Sequence, residues 1–263
     1  IGVVGNANLK PEKTIQGELG LQQQISYNMA LDVTAYFRDI RDLAGTRSEE
    51  ITLFGGSASY NRLENSDFAY VRGLVLSLSM IETNGFSASL DYTFQIAKGS
   101  ASDPQQARNA IAGGSLPEIQ LTPLDWDQRN TVNMSLAYDR ANWGISGIGQ
   151  FGSGLPYTPL STEDISSLVL NSGKKPLTWN VDLKGYFIPR DGLRLFIRAE
   201  NIFDRLNPYT VYDDSGVADF TRWENIAKSQ NTGEPINSIS KWFLNETFYS
   251  NPRRIELGLS YVF

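Results

Sequence analysis

Apolar and polar residues change places at every position in one segment after another of this chain, the signature of strands with two chemically different faces. The clearest runs from Phe86 to Ile96. Phe86, Ala88, Leu90, Tyr92, Phe94 and Ile96 fall on one side, and Ser87, Ser89, Asp91, Thr93 and Gln95 on the other, because successive side chains of a strand point to opposite faces. In the same way Ile15, Leu19, Leu21 and Ile25 oppose Gln16, Glu18, Gln22 and Gln24. Leu31, Val33, Ala35 and Phe37 oppose Asp32, Thr34, Tyr36 and Arg38, while Val132, Met134, Leu136 and Tyr138 oppose Asn133, Ser135 and Asp139. Trp179, Val181, Leu183 and Phe187 stand against Asn180, Asp182, Lys184 and Tyr186, and Leu193, Leu195 and Ile197 against Arg194, Arg198 and Glu200. Leu74 to Met80 and Trp143 to Phe151 repeat the pattern with weaker polar partners, and Ile255 to Phe263 alternates to the last residue.

The connections between these segments alternate in length. Short turns rich in turn formers fall at Ser26-Tyr27-Asn28, Glu82-Thr83-Asn84-Gly85, Arg140-Ala141-Asn142 and Pro189-Arg190-Asp191-Gly192. Long polar connections fall at residues 44–60, 98–127, 152–176 and 205–247, well beyond the roughly two to five residues of a hairpin loop. About 9 to 11 tilted strand residues cross a bilayer. The pattern therefore predicts an all-β fold, an antiparallel transmembrane β-barrel contributing about nine strands, with short connections at one end and long ones at the other. An odd set of hairpin-joined strands would bring its first and last members together in parallel, and an open edge in lipid leaves backbone groups unpaired at several kcal/mol each. Further strands are thus expected from outside this segment. Ile1-Gly2-Val3-Val4-Gly5 has no initiator Met, basic n-region or cleavage site and reads as the interior of a longer protein. No linker or low-complexity tract divides residues 1–263, which read as one domain.

Composition narrows the chemistry. The apolar content is 41% and no stretch of about 18 apolar residues exists, which removes a membrane-spanning helix. The mean hydropathy of -0.29 is compatible with a barrel, whose strands are apolar only at alternate positions. The chain has no Cys and no His, which excludes thiol nucleophiles, disulfides, imidazole acid/base catalysis and the common zinc sites. No enzyme activity, cofactor or metal is expected. A net charge of -6 without a Lys/Arg cluster argues against nucleic acid as a partner. Thirteen Phe, twelve Tyr, five Trp and 23 Gly suit close-packed strands with interfacial aromatic girdles.

A series of landmarks then appears in order. Gly5-Asn6-Ala7-Asn8-Leu9-Lys10-Pro11-Glu12 is similar to a G-N-P-x-L-K-P-E segment, with Ala7 in place of Pro. Tyr36-Phe37-Arg38-Asp39-Ile40-Arg41-Asp42 resembles an aromatic-aromatic-x-D-I-x-D strand end, and Trp126-Asp127-Gln128-Arg129-Asn130 resembles W-D-Q-R-H, with Asn130 in place of His. Ser153-Gly154-Leu155-Pro156-Tyr157-Thr158 and Ala199-Glu200-Asn201-Ile202-Phe203-Asp204 are similar to S-G-x-P-Y-T and x-x-N-L-F-D. In this order they resemble the TonB-dependent receptor family over essentially the whole chain. The resemblance implies a barrel of about 22 strands with a plugged lumen, of which this chain supplies the C-terminal part. It further implies an outer-membrane location, a periplasmic C-terminus, TonB-driven uptake of an extracellular ligand, and a plug, earlier strands and TonB-contacting segment that lie outside this sequence. Leu257, Leu259, Tyr261 and Phe263 resemble the terminal signal read by the barrel assembly machinery. Asn251-Pro252-Arg253-Arg254-Ile255 is similar to large receptors of Bacteroidetes-like bacteria. A surface lipoprotein is a further candidate partner.

Two groups of residues are candidates for binding. Arg194, Arg198 and Lys184, on the polar face of adjacent strands, either line a path for an anionic ligand or crosslink strands and plug. Tyr212, Trp223 and Trp242, in an aromatic-rich connection with Tyr209, Phe220, Phe243 and Tyr249, either stack on a ligand or pack a folded loop. Asp213-Asp214-Ser215-Gly216 lacks the acidic spacing of a calcium loop, Gly152-Ser153-Gly154 lacks the Lys of a phosphate loop, and Gly113-Gly114 reads as loop flexibility. A barrel with a structural or adhesive role and no transport is the alternative function.

Overall fold

The computed structural model describes residues 2–46, 51–56, 58–101, 103–105, 109, 121–160, 170–231 and 238–261. Ile1, Gly113-Gly114 and the terminal Phe263 lie outside the described residues. Nine strands form the backbone of one sheet: β1 (Lys13–Ser26), β2 (Met29–Thr46), β3 (Ala58–Thr83), β4 (Phe86–Gly99), β5 (Asn130–Asp139), β6 (Trp143–Gly152), β7 (Thr178–Arg190), β8 (Leu193–Glu200) and β9 (Arg254–Tyr261). Each pairs antiparallel with the next in the chain, and among the described residues no pairing joins β1 to β9. Shorter strands lean on this meander: Gly2–Val4 runs parallel to β3, Ile51–Leu53 antiparallel to it, and Thr122–Pro123 pairs with β4.

The register carries the sequence alternation across the sheet. Gln22, Asp32, Ser77, Asp91, Asn133, Gln150 and Asn180 are successive partners on β1 to β7 and make one continuous polar row. Met29, Met80, Ala88, Leu136, Gly147, Leu183, Ala199 and Ile255 are successive partners on β2 to β9 and make an apolar row on the other face. Pairing partners share a face, so a strand slipped by one residue would break both rows at once.

Among the described residues no second layer covers the apolar face. Leu19 and Leu257 are both 79% exposed, and the accessible surface is 17122 Å², against about 11,500 Å² for a compact folded chain of this mass. The excess rules out a sandwich that buries the apolar rows between stacked sheets. The small buried cluster, Ala69, Val71, Ala97 and Leu124 with Tyr36, Ile40 and Leu43 packed on it, sits toward the long-connection end of the sheet.

Turns at the short-connection end follow their residues. Asn84 and Gly85 have φ of 53° and 88°, the left-handed pair of a tight hairpin turn that Asn-Gly adopts at low cost. At the opposite end the structure corrects two expectations. The described residues within 44–60 are largely paired: β2 and β3 stay together through Ala44↔Asn65, Gly45↔Glu64 and Thr46↔Leu63, and Ile51–Leu53 pairs with β3 beyond them. Asp42, with φ of 61°, accompanies the register slip after Ile40. Past that bulge the apolar alternation ends, so periodicity no longer marks a strand although the backbone ladder continues. The 26 residues of β3 extend about 85 Å, far beyond a hydrocarbon core of about 30 Å, and the nine strands range from 8 to 26 residues. Residues 205–247 also contain more than loop, since α1 (Arg222–Gln230) and α2 (Ile239–Phe243) lie within them. Thr221 caps α1 by accepting the Trp223 N–H, and Thr221…Glu224 is the capping-box spacing that marks this start in sequence.

Candidate functional site

The polar face of β6 to β9 gathers the cations singled out from sequence. Ser146, Lys184, Arg198 and Glu256 are successive partners in one row. Arg198 Nη1 lies 3.2 Å from Glu256 Oε2, and Arg254 reaches the same carboxylate. Arg194 stacks its guanidinium 4.1 Å from the centre of the Tyr186 ring, and the Tyr186 hydroxyl donates to Asp139 Oδ1 at 2.8 Å. Lys184 is exposed beside Arg198. Two of the three cations are therefore held across strands, and the third is open. Exposed pairs of this kind contribute at most about 1 kcal/mol, so they set direction more than stability. Glycines make the aromatic contacts possible: Tyr186 lies over Gly144 and Phe196 over Gly258, where a Cβ would collide with the ring.

Toward the long-connection end the motifs singled out from sequence become hydrogen-bonded nodes. Asp127, 1% exposed, accepts the Ala97 N–H and the Arg129 Nε–H, each at 2.7 Å. Gln128 donates to the Ser153 carbonyl, the Asn130 N–H donates to Ser153 Oγ, and the Tyr92 hydroxyl donates to Asn130 Oδ1. The two motifs thus fasten each other, tying β4, β5 and β6. Asn201, with φ of 49°, donates to the carbonyls of Arg205 and Asn251 and accepts the Arg205 N–H. Buried Asn207 bonds both backbone groups of Trp179, and the pair anchors the long connection to β7 and β9. Near the chain start, Asn6 donates to the Leu63 carbonyl and Asn65 exchanges two hydrogen bonds with Lys10, laying Gly5 to Glu12 along the projecting part of β3. Asn207 carries no periodicity signal and was not legible as a node. A polar recess of 340 Å³, lined by Gln128, Asn133, Gln150, Asn180 and Asn207 among others, lies between these nodes.

The three loop aromatics separate. The Tyr212 hydroxyl donates to the Phe243 carbonyl and its ring lies 5.0 Å from Phe248. Burial, with Glu224 and Asp214 nearby, raises its pKa above the usual tyrosine value and keeps this donor protonated. Tyr212 therefore packs the loop, whereas Trp223 on α1 and Trp242 on α2 are 49% and 83% exposed. Hydrogen bonds from Lys228 and Ser240 hold the Glu224 carboxyl below its ordinary range. The Asp214 carboxylate accepts from the Thr221 hydroxyl and the Arg222 N–H, a capping role. Among the described residues no group of three His, Cys, Asp or Glu side chains converges for a metal. Leu257, Leu259 and Tyr261 lie exposed on the apolar face of β9.

Comparison with known proteins agrees with this architecture. The family model described as TonB dependent receptor-like, beta-barrel matches residues 1–202. The chain is similar to the outer membrane transporter YddB from Escherichia coli, with a TM-score of 0.64 and 14% identity, covering 99% of this chain and 34% of that one. It is similar to a mutant of the ferric enterobactin receptor PfeA from Pseudomonas aeruginosa, with a TM-score of 0.62 and 16% identity over 99% of this chain and 32% of that one. The pyoverdine outer membrane receptor FpvA from Pseudomonas aeruginosa matches with a TM-score of 0.61 and 13% identity, over 97% of this chain and 30% of that one. The chain spans about a third of the length of these receptors, and at such identities they establish the fold alone. No curated protein matches the chain by sequence. The two-faced antiparallel meander and a family match over residues 1–202 together mean that this chain belongs to the TonB-dependent receptor β-barrel family of the outer membrane and forms part of such a barrel.

Proposed function

We propose that residues 1–263 are the C-terminal part of a receptor barrel that takes an extracellular ligand across the outer membrane under TonB drive. The observation that carries this reading is the continuous polar row from Gln22 to Asn180, opposed at every strand by apolar residues. Closed by further strands, that face lines a lumen able to hold a plug and pass a polar solute, while the other face meets lipid. The rest of the protein supplies those strands, the plug and the TonB-contacting segment. The short turns then face the periplasm with the C-terminus, and the long connections face outward. Leu257, Leu259 and Tyr261, with Phe263, serve as the signal for the barrel assembly machinery. Exposed Trp223 and Trp242 offer stacking surfaces to an arriving ligand, which a surface lipoprotein could help to deliver, and Lys184, Arg194 and Arg198 favour anionic groups lower in the lumen.

The test is deletion of the gene in its host, followed by growth on defined media with one limiting iron, cobalamin or glycan source at a time. Loss of growth on at least one source, reproduced by deleting TonB, supports transport. Unchanged growth on every source, with loss of cell attachment, would instead establish the adhesive role.

A further inference from the structure

On the polar face, next to the long connections, two rows of paired residues frame a gap. Thr131, Gly152 and Thr178 are successive partners on β5, β6 and β7, and Asn133, Gln150 and Asn180 form the next row toward the short turns. Glycine at the centre of the first row gives no side chain, and the Gln128 amide enters the space that a Cβ there would occupy. What remains is the recess of 340 Å³, bordered also by Asn207 and Tyr209. Its volume lies in the range of about 300–1,000 Å³ that suits a small ligand.

Hydrogen bonding divides the lining into framework and open groups. Gln128 donates to the Ser153 carbonyl, and Asn207 bonds the backbone of Trp179. Asn133 and Gln150 are exposed, and among the described residues neither side chain, nor that of Thr131, makes a hydrogen bond. Asn180 donates to Asp182, while its Oδ1 has no partner. Each primary amide offers an acceptor and two donors, and Asn133 and Gln150 stand on adjacent strands about 4.8 Å apart.

No residue lining the recess carries a charge. The charged groups around it are engaged: Arg129 with Asp127, Arg205 with Asn207 and the Trp179 ring, Lys175 with the Tyr209 carbonyl, and Asp182 with Asn180. Lys184 stands four residues from Asn180 along β7, about 13 Å away. An anionic ligand therefore finds no counter-charge here. A hydroxyl, donor and acceptor at once, matches an amide, and adjacent hydroxyls on one ring match a row of amides. Tyr209, held at its backbone by Phe248 and Lys175 and 60% exposed, adds an aromatic surface for the C–H face of such a ring. An extended peptide would need free backbone groups from the wall, and the ladders joining β5, β6 and β7 use them.

We propose that this recess is a subsite for a neutral carbohydrate, one pyranose ring set against Tyr209 with its hydroxyls bonded to Asn133, Gln150 and Thr131. It rests on the transport reading above, in which this face lines the lumen and the long connections open outward, and it names the class of ligand that enters.

The test titrates the full-length receptor, purified in detergent, with maltotriose, cellotriose, mannotriose, xylotriose and galactotriose, and with ferric citrate as an anionic comparison, by calorimetry. At least one trisaccharide should bind, and Asn133→Ala and Gln150→Ala should each weaken it about fivefold and together about 25-fold. Heat-modifiable gel mobility verifies folding, and Asn133→Asp or Gln150→Glu, which keep the side-chain shape, replace an alanine variant that does not fold. Trisaccharide binding that survives both substitutions overturns the proposal, as does binding of none of the five; ferric citrate bound in their place leaves transport intact. Binding that depends on the two amides, by a receptor whose deletion leaves growth on that sugar unchanged, keeps the subsite and refutes transport.

Discussion

Leu90 is the sharpest probe of which face meets hydrocarbon. It belongs to the outer row, paired with Leu78 and Met134, whereas its neighbour Ser89 points the other way and shares a 2.7 Å hydrogen bond with Ser135 Oγ. Five residues separate Leu90 from the Gly85 turn, a rise of about 17 Å along the strand, or about 13 Å along the membrane normal at a tilt of about 40°. That is half of an apolar band about 25 Å tall, so Leu90→Arg should bear the full midplane penalty of about 2–4 kcal/mol. A cost in the middle of that range lowers the folded-to-unfolded ratio about 150-fold at a given urea concentration. Ser89→Arg loses one neutral hydrogen bond, about 1 kcal/mol, and places its charge among polar side chains. The assay is urea unfolding of the full-length receptor in phosphatidylcholine vesicles, read by heat-modifiable mobility, with outer-membrane yield as a second measure. Equal losses for the two substitutions, or none for Leu90→Arg, would refute the assignment of the apolar rows to lipid.

Other positions test the polar nodes and the ring contacts. Asp127→Ala strips the buried Ala97 N–H of its acceptor and leaves Arg129 unpaired, so it should lower stability by about 3 kcal/mol, and Asp127→Asn, which keeps an oxygen, by less; a urea midpoint within error of wild type would disprove the node. Gly258→Val collides with Phe196 and should reduce barrel assembly, and adding Phe196→Ala should restore it; failure of that rescue in a yield assay means the ring contact is not the cause. Asn201→Ala removes the bonds that anchor the long connection and should speed limited proteolysis within residues 201–253. Tyr212 has a raised folded-state pKa, so its contribution is complete below about pH 10 and is lost as pH rises through the higher folded value. Proteolysis of the wild-type loop should accelerate there, while Tyr212→Phe should start faster and show no such step.

The alternating code in the sequence determined a great deal. Phe86 to Ile96 already assigns eleven side chains to their faces, because a strand's period of two is a local property of its backbone and needs no partner. Short turns such as Asn84-Gly85 were legible for the same reason, since the left-handed conformation selects its own residues. Register and reach were decided only by the tertiary structure. Whether Arg198 meets Glu256, 58 positions away, depends on how β8 slides against β9, and alternation says which face a residue takes but not which neighbour. The projecting part of the β2–β3 hairpin escaped notice because beyond Asp42 the alternation ends while pairing continues. Asn201 and Asn207 became nodes, and Tyr212 turned inward while Trp242 stayed out, through contacts closed by folding between distant backbone groups. Such contacts leave no periodic trace along the chain.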